Sequence, residues 1–219
     1  MLNLCEKYRP QSLDDLLGQP KVVASLRRLN GQYGGRAYWI SGPKGTGKTS
    51  LALIIGHAIA DDWCCEIVKA SELTLGRLDD LERMSHLAAP GKGGRAIIVE
   101  EAHGLRRDVV RALKTVLESG SIPRHVAWIF TTTKLESNAR FLDESDEDIK
   151  PLLERMYGGG FTFTNQGLAP TFGRAAKAIA MKEGLDGQPD QKYQNLVYSC
   201  GGSFRGVLAR IEAGFMLAE

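Results

Sequence analysis

A doubly wound parallel α/β sheet followed by a small all-helical unit is the fold class that this 219-residue chain predicts. Three observations predict it. Short β-rich runs alternate with segments of helical period through the first two thirds of the chain, the spacing of successive βαβ units. A glycine-rich turn, Gly42-Pro-Lys-Gly-Thr-Gly47, interrupts that alternation where a strand gives way to a helix. Beyond Phe163 only helical period continues, which sets a boundary near residue 165, with an α/β domain over 1–165 and a helical lid over 166–219.

The elements follow in order. Ala37-Tyr-Trp-Ile-Ser41 is short, apolar and aromatic, and it must end where glycines begin that no strand or helix interior accepts. Lys48 to Ala60 carries apolar residues at helical spacing, and Cys65-Glu-Ile-Val-Lys69 predicts a second strand. Leu75 to Leu87 has apolar residues at 75, 78, 81, 84 and 87, which predicts a helix presenting them to the core until Pro90-Gly-Lys-Gly-Gly94 stops it. Ala96-Ile-Ile-Val99 is a continuous β-rich run of the kind buried on both faces of a parallel sheet. Arg107 to Glu118 returns to helical period, Val126-Ala-Trp-Ile-Phe130 repeats the strand pattern, and helices over 169–183, 190–200 and 203–216 complete the chain. In an open sheet of this kind the ligand lies at the carboxyl ends of the strands.

Composition narrows the function classes. With 43% apolar and 25% charged residues the chain has the profile of a globular protein. Its 28 Lys and Arg nearly balance 26 Asp and Glu, so any nucleic-acid contact must come from a local basic patch. Leu51 to Ala60, the longest apolar stretch, is about half of what a bilayer requires, and no leader or lipid-anchor motif accompanies it, so no membrane role is expected. Cys5, Cys64, Cys65 and Cys200 lack C-x-x-C spacing, and a bridge between the neighbours Cys64 and Cys65 would be strained. The expectation is a reducing, cytoplasmic compartment.

Gly42-Pro43-Lys44-Gly45-Thr46-Gly47-Lys48-Thr49 fits the pattern G-x-x-x-x-G-K-[ST] at every fixed position, and with Ser50 it forms the predicted nucleotide-binding segment. Glycines let backbone amides curl around phosphates while the following helix adds its positive end. Lys48 would reach the β- and γ-phosphates of ATP and the Thr49 hydroxyl would ligate Mg²⁺. Ile97-Ile98-Val99-Glu100-Glu101 puts two carboxylates at the end of a buried strand. Glu100 would hold the metal shell and Glu101 would polarise water for attack on the γ-phosphate.

Several further segments resemble one family. Glu6-Lys-Tyr-Arg-Pro10 with Leu13-Asp-Asp-Leu-Leu-Gly-Gln19 is similar to the opening of AAA+ clamp-loader ATPases, the bacterial DNA polymerase III gamma/tau subunits and the replication factor C small subunits. Glu100-Glu-Ala-His103 with Asp108 to Glu118 resembles the family's Walker B strand and following helix, Phe130-Thr-Thr-Thr133 its sensor 1, Glu154-Arg155-Met156 its Ser-Arg-Cys motif, and Gly202-Ser-Phe-Arg205-Gly-Val-Leu208 its sensor 2 helix. The resemblance implies that Tyr8, Arg9 and Pro10 lie near the adenine, that Thr133 senses the γ-phosphate and Arg205 contacts it from the lid, and that Arg155 is offered in trans to a neighbouring subunit's nucleotide. It also implies a ring with other loader subunits, a sliding clamp, which the loop-proximal end of the 75–87 helix would touch, and primed double-stranded DNA as partners. Arg106, Arg107 and Arg111 suit either a DNA phosphate or an ordinary solvated face.

The sequence departs from that family in four places. Glu100 stands where the family has Asp, which shifts the metal geometry by a methylene. An acidic insertion, Asp143-Glu-Ser-Asp-Glu-Asp148, is expected to be a solvated loop. The zinc module of the bacterial subunits is absent. The sequence stops at Glu219 without a helical collar, which a partner-supplied contact, a shortened loader and a fragment would each explain. Two alternatives stand beside the loader: a branch-migration motor, which shares the Arg-Pro opening and Gly18-Gln19, and a non-hydrolysing structural subunit of a ring. Ala112 to Glu118 favours the loader.

Overall fold

The computed structural model describes residues 3–133 and 149–218, so the acidic run Asp143–Asp148 lies outside the described residues. A short helix α1 (Leu4–Lys7) and helix α2 (Pro20–Arg27) precede β1 (Arg36–Ser41), α3 (Lys48–Ile59), β2 (Cys65–Lys69), α4 (Leu75–Ser85), β3 (Arg95–Glu100), α5 (Arg107–Val116) and β4 (Val126–Thr132). Then come α6 (Lys150–Leu153), β5 (Phe161–Thr162), α7 (Ala169–Glu183), α8 (Asp190–Ser199) and α9 (Phe204–Glu212).

The five strands form one parallel sheet in the order β2-β3-β4-β1-β5. Strand alternation sorts the side chains onto two faces. Trp39, Ile97, Val99, Trp128 and Phe130 pack beneath α4 and α5, whereas Tyr38, Ile40, Ile98 and Ile129 pack beneath α2 and α3. Every residue of β4 is buried, as expected of a central strand covered on both sides. Because β1 and β4 pair from Arg36↔Ala127 to Ser41↔Thr132, their carboxyl ends finish level. Glu100 closes β3 on the same edge.

Helix α4 differs from expectation. Leu78 and Leu81 are buried, but Leu75, Met84 and Leu87 are exposed and the helix ends at Ser85. The reason is geometric: residues three apart on an α-helix are offset by about 60° from alignment, so a strict i, i+3 series winds around the helix and only its middle meets the core.

Helices α7, α8 and α9 share their own apolar cluster, built on Phe172, Ala176, Tyr193, Leu196, Val207 and Ile211. Leu4 joins that cluster, and Tyr8 packs against it, so the amino-terminal strap belongs with the helices and not with the sheet. Lys7 Nζ donates to the Glu183 carboxylate at 2.7 Å, and the Tyr8 hydroxyl donates to the same group. These two partners hold the Glu183 carboxyl below its ordinary range. Buried Gln19 secures the crossing to the helices, donating to the Thr164 carbonyl at 2.7 Å and accepting the Thr164 amide at 3.3 Å.

Candidate functional site

The glycine-rich loop leaves β1 at Gly42, whose amide donates to the Thr132 carbonyl at 3.2 Å and so ties the loop to the end of β4. Gly45 (φ +71°) and Gly47 (φ +100°) hold backbone shapes that favour glycine. At Gly45 a second constraint applies: its carbonyl accepts the Phe204 amide at 3.1 Å, and a Cβ there would collide with the Ser203 hydroxyl. Gly45→Ala is therefore expected to push the start of α9 off the loop and lower the thermal midpoint, at a cost of about 1–3 kcal/mol, while weakening ATP binding. Thermal unfolding and calorimetry read the two effects, and an unaltered midpoint would mean that the approach is slack.

Lys48 opens α3 and is 8% exposed. Its amine donates to the carbonyls of Gly42 at 2.8 Å and Pro43 at 2.6 Å. Burial, then the nearby charges of Arg205 and Lys44, push its pKa down to about 8. The Thr49 hydroxyl donates to the Glu100 carboxylate at 3.1 Å. Two hard oxygens at that spacing fit adjacent corners of an octahedral Mg²⁺ shell, whose edge is roughly 3 Å for ligands about 2.1 Å from the metal. Glu100 in place of Asp therefore still reaches. Among the described residues no cluster of three or more His, Cys, Asp or Glu side chains is placed to hold a metal ion.

Glu101 is exposed and adopts left-handed backbone (φ +55°, ψ +41°). That costs a non-glycine residue on the order of 1–2 kcal/mol, and it ends the strand geometry directly after Glu100. Lys48, Thr49, Glu100, Glu101, Thr133 and, from α9, Arg205 line one cleft of about 680 Å³. An adjoining pocket of about 410 Å³ lies on the other side of the loop, between Tyr8, Arg9, Pro10, Thr46, Phe172 and Ile179. Arg9, Gly45, Gly47, Ser50 and Arg205 line both. The sequence did not point to Phe172 or Ile179, which look like an ordinary helical core stripe, and Ser203, quoted within the sensor 2 segment, proves to be the cap of α9.

Arg155 stands apart. It lines a smaller cavity with Arg36, Glu118 and Met156, and Met156 bridges to Ala37 at the start of β1, whereas the loop leaves the end of β1. At about 3.3 Å per strand residue the separation is on the order of 15 Å. A wider concavity, about 910 Å³, is at that same end beside Arg36, Lys92, Arg124 and His125. Arg36 and Lys92 are already engaged there with backbone carbonyls of Gln32, Gly34 and His57.

Residues 38–149 match the model of the ATPase family associated with various cellular activities (AAA). The chain belongs to that family. Among curated proteins, this AAA chain is 27% identical to the replication factor C small subunit of Natronomonas pharaonis over 220 residues, covering 97% of this chain and 62% of the relative. It is 30% identical to DNA polymerase III subunit tau of Bacillus subtilis over 153 residues, covering 58% of this chain and 26% of that one. It thus spans about three-fifths of the length of the replication factor C relative. Among solved structures, a Thermotoga maritima RuvB superposes with a TM-score of 0.68 at 20% identity, covering 94% of this chain and 64% of the other, which shows the shared AAA+ fold. No described helix is long and apolar enough to cross a membrane.

Proposed function

We propose that this AAA chain binds ATP with Mg²⁺ in the cleft and hydrolyses it as one subunit of a ring that loads a sliding clamp onto primed double-stranded DNA. The observation that carries the reading is the meeting, around one loop, of Lys48, Thr49, Glu100, Glu101 and Thr133 from the sheet with Arg205 from α9. Such a set suits phosphoryl transfer, where catalysis is positioning and charge stabilisation. The match to the replication factor C small subunit of Natronomonas pharaonis covers 97% of this chain at 27% identity, whereas the likeness to RuvB at 20% identity is one of fold.

In this reading residues 1–165 form the nucleotide-binding domain and 166–219 the lid, with the strap of residues 4–8 packed onto the lid's helices. The base sits against Tyr8, Arg9 and Pro10, and the triphosphate runs along Gly42–Ser50 with Lys48 on its β- and γ-groups. Thr49 and Glu100 would hold Mg²⁺, which when bound neutralises charge developing on the phosphates. Glu101 accepts a proton from the attacking water, while Thr133 and Arg205 contact the γ-phosphate. Arg155 serves the neighbouring subunit. Four unbridged cysteines fit a reducing cytoplasm.

Glu101→Gln tests the hydrolytic half. The amide keeps shape but takes no proton, so ATP should remain bound while turnover falls about 10²- to 10⁴-fold. Filter binding and phosphate release measured together decide it; normal turnover would place the base elsewhere.

A further inference from the structure

We propose that His103 is a positioning residue for this site, holding the turn that aims Glu101 by its bond to the end of β4; the inference rests on the reading of the cleft as hydrolytic. Strained, left-handed backbone such as that of Glu101 persists only where its surroundings hold it. The turn after it, Ala102–Gly104, closes when the Gly104 amide donates to the Glu101 carbonyl at 2.7 Å. His103 projects from the middle of that turn, and its Nδ1 is 3.1 Å from the Thr132 hydroxyl.

Thr132 is well placed to act as the anchor. It is 1% exposed and ends β4, its carbonyl accepts the Gly42 amide at the entrance to the loop, and Thr133 follows it into the cleft. One buried threonine therefore ties the loop through its backbone and the acidic turn through its side chain. The sheet alone does not make the second connection, because the β3–β4 register ends at Val99↔Phe130, before either acid. The imidazole spans the gap that the ladder leaves. The turn sets the direction of the Glu101 carboxylate and β4 sets the position of Thr133, so the bond keeps the proton acceptor and the γ-phosphate contact in one frame.

The test uses the full chain and four variants: His103→Leu, Thr132→Val, the double change, and His103→Asn, whose amide can replace Nδ1. Each is assayed for ATP affinity, for single-turnover hydrolysis with the chain in excess, and for hydrogen exchange of residues 101–104. Both single losses should lower the hydrolytic rate constant on the order of 10- to 100-fold, leave ATP affinity within about twofold, and speed exchange of the Gly104 amide. The double variant should be no worse than either single one, since both remove the same bond, and His103→Asn should recover most of the rate. Losses that multiply in the double variant, unchanged exchange, or a loss confined to ATP affinity would each overturn the proposal. If the unaltered chain neither binds nor hydrolyses ATP, the hydrolytic reading fails instead, and with it the link's catalytic role, while exchange alone decides whether the link holds the turn.

Discussion

Lys48→Ala is expected to remove ATP binding, raising the dissociation constant at least a hundredfold. The amine is held over the loop by two carbonyls and is almost shut off from solvent. A charge in such a place interacts with phosphate far more strongly than a surface lysine does. Two charge-assisted hydrogen bonds contribute about 1.5–3 kcal/mol each, and each factor of ten in affinity corresponds to about 1.4 kcal/mol. Isothermal calorimetry measures the loss; an unchanged constant would show that nucleotide binds somewhere else. The lowered Lys48 pKa adds a pH signature. Above about 8 the amine is mostly neutral before ATP arrives, and phosphate draws a proton back onto it. Affinity should fall as pH rises through 8, with proton uptake on binding, visible as a dependence of the heat on the buffer's ionisation enthalpy. In Lys48→Ala this contribution is gone.

Arg155→Ala is expected to act on a neighbour and not on its own chain. The side chain is some 15 Å from the loop of its own sheet by strand length, on the end where β1 begins. It is half buried, its Nη1 donates to the Pro151 carbonyl, and its Nε has no partner among the described residues. The guanidinium is thus oriented by its own helix turn and has no ion pair with a carboxylate among the described residues. An arginine supplied across a subunit boundary accounts for about three to five decades in rate where such fingers operate. The variant should therefore bind ATP normally, yet hydrolysis at the adjacent subunit in the assembled ring should drop by that order, most steeply in the DNA-stimulated rate. Arg155→Lys should recover little, since an ammonium lacks the planar fork. Mixing Arg155→Ala with Lys48→Ala subunits should restore part of the activity, because intact finger and intact loop then meet at some interfaces. Wild-type rates for Arg155→Ala alone would mean that the site is complete within one chain.

What was legible in the sequence was what depends on neighbouring residues. The strand-loop-helix around Gly42–Thr49 and the acids at the end of β3 are contiguous, and their backbone demands are written in glycines and β-branched runs. The central strands were found almost to the residue, since burial on both faces leaves continuous apolar runs. Strand β5 was missed: two residues are too few to show alternation. Helices α1, α2 and α6 are short and carry no long periodic face. The pocket beside Tyr8 was only half visible. Its far wall, Phe172 and Ile179, comes from a helix more than 160 residues away, and nothing local separates a lining side chain from a core one. The bond between His103 and Thr132 is of the same kind: two ordinary residues 29 positions apart that the parallel register brings to one edge.

The strap formed by residues 4–8 has a practical corollary for anyone labelling the molecule. Leu4 is packed among the carboxy-terminal helices, and Lys7 and Tyr8 are pinned to Glu183, so the front of the chain is mechanically part of its back. A dye attached at exposed Glu6, which leaves the Asn3 cap of α1 in place, would travel with α7 and α9, not with the sheet. Paired with a second dye on exposed Glu72, beyond β2, it would report the distance between the two halves of the molecule as ATP comes and goes.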